Sequence, residues 1–188
     1  MTTLKHEWWA TPVWEIETGF DSTFNNELLV EIENCKPPTN PYMFNIWDYS
    51  TPKITTLKEK ILSAAKENVS PYFDQFYKFN PVLSRGWVNR QHPGKSLALH
   101  DHGGVLLACT YYIKTTNDCG DLLMVDPRGG VNWDLAREGN VLGIKYKRIK
   151  PTEGKLVMFP AFLLHMVELN KSTSTRISLA TNIYSNGS

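Results

Sequence analysis

The sequence predicts a mainly β (α+β) fold: a double-stranded β-helix, a jelly roll of cupin-like form, with two supporting helices in its N-terminal part. From about residue 82 the apolar pattern takes a period of two and keeps it, in short runs separated by turn residues, to the C-terminus. Two amphipathic helical runs precede that switch. Eight short strands behind two helices suit a jelly roll whose outer sheet is braced by helices. At 188 residues the chain fits one domain spanning 1–188. In it, 1–80 form an extended opening segment and the supporting helices, and 81–188 form the β-helix core.

Residues from about 5 to 20 are expected to be extended, because Pro12 blocks a helix and Val13, Glu15 and Glu17 alternate with Trp14, Ile16 and Thr18. Such a segment pairs at a sheet edge. Asp21 or Ser22 caps a first helix, with Phe24, Leu28, Leu29 and Ile32 at helical spacing until Pro37 and Pro38 stop it. The stretch 36–53 is a loop rich in Pro, Asn and Thr, which Phe44, Ile46 and Trp47 anchor to the core. Thr55 or Thr56 is expected to cap a second helix, with Leu57, Ile61, Ala64, Ala65 and Asn68 on one face, ended by Pro71. Strands are then expected near 84–91, 97–100, 105–114, 121–125, 145–149, 155–159, 163–168 and 176–184. No internal repeat or low-complexity tract interrupts them.

Composition narrows the function classes. Twenty basic and 19 acidic residues give a net charge of +1, with no basic footprint for tracking phosphates, so nucleic acid is not an expected partner. Cys35, Cys109 and Cys119 form neither a CxxC pair nor an even set, which argues for ordinary thiols in a reducing compartment. Neither a signal-peptide pattern nor an apolar run long enough for a membrane span is present. The expected location is therefore cytoplasmic, with no membrane partner.

Three features fall in order along the β-half: His100-Asp101-His102, then His165, then Arg176-Ile177-Ser178. On an extended backbone His100 and His102 project to one face and Asp101 to the other, so the two imidazoles can meet one metal. His165, four or five strands later, supplies a third ligand from across the barrel. Three facial ligands with open positions form the arrangement that iron uses for O2 chemistry. A bidentate 2-oxo acid fills two of those positions and O2 the last. The distal carboxylate of such a co-substrate needs a partner, and Arg176 follows His165 by one strand and one turn with a planar fork that matches it. Ser178 shares the face of Arg176 and can donate a further hydrogen bond. Tyr112 can place its phenol on the same carboxylate, whereas Tyr111 faces the other way.

On these residues the chain resembles the iron(II)- and 2-oxoglutarate-dependent oxygenases, in particular a phage and bacterial branch near the prolyl hydroxylases. The resemblance rests on Trp87-Val88-Asn89, His100-Asp101-His102, Tyr111-Tyr112 and Asp126-Pro127-Arg128. It continues in Pro151, Gly154 to Pro160, His165, Arg176-Ile177-Ser178 and Asn182. It covers roughly 82–184, and Ala10-Thr11-Pro12-Val13 looks like the start of that branch. It implies Fe(II), 2-oxoglutarate and O2 as cofactor and co-substrates, with succinate and CO2 released as a substrate is hydroxylated. The substrate, a small molecule or a peptidyl side chain, is not encoded in any readable motif, and neither is the oligomeric state. One position departs from the common family motif: a carboxylate is usual two residues after the first ligand, and here that residue is His102. If the strand bulges, Asp101 takes the place of His102.

Two other classes stay open on sequence alone. A three-His iron dioxygenase of cupin type, using no 2-oxo acid, suits His-x-His and leaves Arg176 and Ser178 without a task. A non-catalytic jelly-roll module makes the histidines structural. His6 and His92 are expected to be surface residues, Asn89 an ordinary strand residue, and the tryptophans mostly core. Arg128 and Trp133 are candidates for meeting substrate at the barrel mouth.

Overall fold

A computed structural model of the protein describes residues 10–36, 44–73, 78–127 and 146–186. The N-terminal part carries β1 (Trp14–Glu17), α1 (Ser22–Asn34) and α2 (Pro52–Val69). The β-half carries β2 (Pro81–Gln91), β3 (Leu97–His100), β4 (Leu107–Lys114), β5 (Leu122–Val125), β6 (Tyr146–Ile149), β7 (Lys155–Pro160), β8 (His165–Val167) and β9 (Arg176–Ser185). All eight strands expected after residue 80 are present, with ends displaced by at most a few residues. They form two antiparallel sheets, one ordered β1-β7-β4-β9-β2 and the other β3-β8-β5-β6. This is the double-stranded β-helix. Among the described residues no helix is long and apolar enough to cross a membrane.

The helices lie on the outer face of the five-stranded sheet. Asp21 rather than Ser22 caps α1, accepting from Phe24 N at 2.9 Å. The start of α2 differs from expectation: it begins at Pro52, in the first turn where a missing N–H costs nothing, with Thr51 before it. Its orphan amides are met by a side chain from the other helix. Glu31 of α1 accepts from Lys53 N at 2.9 Å and Ile54 N at 3.1 Å, placing a carboxylate at the positive end of α2. A cap supplied from a distant element leaves no local sequence signal, which is why Thr55 and Thr56 were the apparent candidates.

Strand parity splits the core in two. Cys109, Tyr111 and Ile113 of β4, with Ile177, Leu179 and Ile183 of β9, pack against Leu28, Ile54, Leu57 and Ile61 of the helices. Each such aliphatic side chain contributes about 1.5–3 kcal/mol by leaving water. Ala108 and Tyr112 of β4 point instead between the sheets, towards Leu122, Val157 and Phe159. Tyr111 ends its outward course in a hydrogen bond to Asn25 Oδ1 at 2.5 Å. The anchors expected in the 36–53 loop do reach the core: Ile46 and Trp47 are buried, and Trp47 Nε1 donates to Thr181 Oγ1 at 2.9 Å. Gly86 of β2 makes that approach possible, because a Cβ there would lie 2.4 Å from Trp47 Nε1.

Candidate metal and co-substrate site

His100 ends β3 and pairs directly with His165 of β8, which in turn pairs with Met124 of β5. His102 lies two residues beyond β3, in a segment tied to the opposite wall by His102 N donating to Ala161 O at 2.9 Å. One potential ligand nitrogen from each ring lies within 4.8 Å of the others. Ring centroids are separated by 4.2 Å for His100 and His165, 5.1 Å for His102 and His165, and 5.3 Å for His100 and His102. Asp101 stays exposed and is not among the walls of the cavity the three histidines share; it lines a second depression with Pro12, Trp14 and Phe162, which His102 also borders. The alternation read from the sequence therefore persists past the strand end.

Two of the rings are fixed by backbone. Nδ1 of His100 contacts Ala98 O at 2.8 Å, and Nδ1 of His165 contacts Leu163 O at 2.9 Å. With Nδ1 engaged by a carbonyl it carries the proton, and Nε2 keeps its lone pair for a metal. Burial works in the same direction. It pushes the pKa of His165 down to about 4 and lowers that of His102, with the neighbouring imidazoles adding to the effect. Neutral, lone-pair-bearing nitrogens held close together are the donor set a divalent transition metal takes.

The second half of the site is a cavity of about 430 Å³, whose walls include the three histidines, Tyr112, Arg176 and Ser178. Arg176 is 4% exposed. Its Nη1 donates to Gly120 O at 2.9 Å, its Nε is buried without a partner, and no carboxylate pairs with it among the described residues. Burial alone works against its charged form. A guanidinium unpaired in a low-dielectric site is costly, by several kcal/mol per ion, so the arrangement asks for an anion from outside the chain. Tyr112 lies beneath it, with the Arg176 carbon 5.8 Å from the ring centroid. Burial pushes the Tyr112 phenol upward in pKa, more than Arg176 can offset, so it is a neutral donor. Ser178 pairs with Tyr112 across the strands.

Asn89, expected to be an ordinary strand residue although its shared face with Trp87 could bring it to the site, and Trp87, expected in the core, both line this cavity. Trp87 lies nearly parallel to the His102 ring, at 6.0 Å and 19°. The signal was present in the alternation Trp87-x-Asn89-x-Gln91, which places all three on one face of β2, but nothing local said that this face turns inward. His92 is exposed, with Nδ1 at 2.9 Å from Thr175 Oγ1, as expected. His6, Arg128 and Trp133 lie outside the described residues.

A barrel of this topology brings three histidine nitrogens that could hold a metal beside a buried guanidinium that no carboxylate pairs among the described residues. The sequence model of the family described as "Putative 2OG-Fe(II) oxygenase" matches residues 85–182, and the chain belongs to that family. Solved structures agree on the fold. HygX from Streptomyces hygroscopicus, with nickel, 2-oxoglutarate and hygromycin B bound, superposes with a TM-score of 0.66 at 12% identity, over 94% of this chain and 84% of that one. A Pseudomonas putida prolyl-4-hydroxylase gives 0.59 at 13% identity, over 94% and 86%. The α-ketoglutarate-dependent epimerase SnoN from nogalamycin biosynthesis gives 0.63 at 13% identity, over 92% and 76%. No curated protein matches the chain significantly.

The protein is thus an iron(II)- and 2-oxoglutarate-dependent oxygenase, with O2 the usual co-substrate of the family. Membership of this family replaces both alternatives left open by the sequence, the three-His dioxygenase without a 2-oxo acid and the non-catalytic module. When bound, the iron supplies O2 activation coupled to oxidative decarboxylation of 2-oxoglutarate to succinate.

Proposed function

We propose that His100, His102 and His165 hold the iron and that Arg176, Ser178 and Tyr112 hold the distal carboxylate of 2-oxoglutarate, for hydroxylation of a small-molecule or peptidyl substrate. One observation carries this reading: the only unpaired buried guanidinium among the described residues opens into the same cavity as the three clustered histidines. Arg176 binds the carboxylate through its free edge, Ser178 and Tyr112 add neutral donors, and Gly120 holds the guanidinium in place from behind. His100 and His165 keep their protons on Nδ1 and leave Nε2 to the metal. The cavity lies in the size range of small-molecule sites and exceeds what a five-carbon dicarboxylic acid fills, which leaves space for part of a substrate.

Anaerobic titration tests the reading. Iron(II) followed by 2-oxoglutarate is expected to produce a visible metal-to-ligand charge-transfer band only when both are present. Tight iron binding with no band and no change on adding 2-oxoglutarate would overturn it.

A further inference from the structure

His100 and His165 are each oriented by the carbonyl two residues earlier in their own chain segment. His102 has no such anchor among the described residues. It sits beyond the end of β3 and is only half-buried, so neither a strand ladder nor its own backbone sets the direction of its ring. An imidazole free to rotate presents either nitrogen, or neither, to a metal.

Two independent observations point to Asn182. Its Oδ1 is buried and makes no completed hydrogen bond, a condition that costs about 1–3 kcal/mol unless a partner is supplied. The segment that carries His102 is also tied to the end of β9 that holds Asn182: His102 N donates to Ala161 O, Ala161 N to Leu106 O, and Leu106 N to the O of Ile183, the residue after Asn182. The position follows from strand parity: Asn182 pairs with Ala108 and continues the inward row of Arg176, Ser178 and Ala180 on β9. Trp87, which pairs with Ala180, covers the flat face of the same imidazole. The five-stranded sheet thus meets the His102 ring at Trp87 and ends, at Asn182, close to the segment that carries it.

We propose that Asn182 is a positioning residue whose Oδ1 accepts the proton-bearing ring nitrogen of His102 and turns the other nitrogen towards the metal. This rests on the reading of the three histidines as ligands. Its chemical consequence is specific. Each ligand is then oriented by a neutral oxygen: Ala98 O, Leu163 O and Asn182 Oδ1. A carboxylate in the third place would raise the basicity of its imidazole and add a negative charge beside the metal. The amide adds neither, so the full charge of the dication is left for the anionic co-substrate to neutralise.

Cobalt(II) binding, followed by its visible absorption, and the 15N ring signature of His102 in chelator-treated protein provide the test. Wild type is expected to bind one equivalent of cobalt and to hold His102 in a single tautomer. Asn182→Leu is expected to weaken cobalt binding roughly 10- to 100-fold and to leave His102 as a mixture of tautomers. Asn182→Asp, which retains the acceptor, is expected to restore wild-type affinity or exceed it. If Asn182→Leu does not fold, the wild-type tautomer and the Asp variant decide: a mixed His102 in wild type, or an Asp variant that folds but binds cobalt poorly, overturns the proposal. Unchanged affinity and tautomer in a folded Asn182→Leu variant overturn it as well, with the ligand assignment intact. Failure of wild type to bind cobalt overturns the ligand assignment and this proposal together.

Discussion

The guanidinium of Arg176 lies 5.8 Å from the centre of the Tyr112 ring, buried and joined among the described residues by one hydrogen bond, to Gly120 O. Its Nε is left without a partner, and Lys in its place keeps the charge but loses the two-point fork. Losing one charge-assisted hydrogen bond costs about 1.5–3 kcal/mol. Arg176→Lys is therefore expected to bind iron normally and 2-oxoglutarate roughly ten- to a hundred-fold more weakly, measured by anaerobic titration. Unchanged co-substrate affinity in a folded Arg176→Ala variant would remove Arg176 from the site.

The two adjacent tyrosines should separate cleanly. Tyr112 faces the cavity, whereas Tyr111 donates to Asn25 Oδ1 on the helix side. Tyr112→Phe is expected to weaken 2-oxoglutarate by about 0.5–1.5 kcal/mol, the worth of one neutral hydrogen bond. Tyr111→Phe is expected to leave that affinity alone and to lower the urea midpoint. The opposite pattern would mean that β4 runs one residue out of register.

Asp101 and His102 give a sharper contrast. His102→Ala should abolish tight iron binding, as should His100→Ala and His165→Ala, because each removes a donor from the cluster. Asp101 is exposed and does not line the cavity that the three histidines share, so Asp101→Ala should keep the metal. Iron stoichiometry after anaerobic dialysis reads this directly, and the reverse ordering would assign the site to His100, Asp101 and His165.

Cys109 and Cys119 are both buried, and burial pushes the Cys109 thiol far up, away from the reactive thiolate. Cys109→Ala and Cys119→Ala are expected to form succinate within a few-fold of wild type, at a stability cost of about 1 kcal/mol each from the small voids. Ala is the better replacement for Cys109, since Ser would bury an unpaired hydroxyl. Loss of turnover with iron still bound would reveal a role for these thiols.

Gly86→Ala tests the packing of the helical side against β2. The added Cβ would fall 2.4 Å from Trp47 Nε1 and 2.7 Å from Ile46 Cγ2, displacing the indole from Thr181. Overpacking together with one lost hydrogen bond predicts a loss of about 2–4 kcal/mol. A urea midpoint equal to that of wild type would show that the loop before α2 yields without cost.

Much of this protein follows from the order of its residues alone. Period-two alternation placed eight strands and told Tyr111 from Tyr112. The i, i+2 spacing of His100 and His102 separated both from Asp101, because side-chain direction along an extended chain is a local property. Tertiary structure decided what local chemistry does not encode. Glu31 caps α2 from another helix, Trp87 and Asn89 line the cavity wall, and His102 N reaches Ala161 O across the barrel. These are contacts between elements far apart in sequence, and they exist only because the two sheets close over one cavity. The buried, unpaired charge of Arg176 is of the same kind: the sequence supplies the guanidinium, but only the folded barrel removes the water and the counter-charges that would otherwise satisfy it.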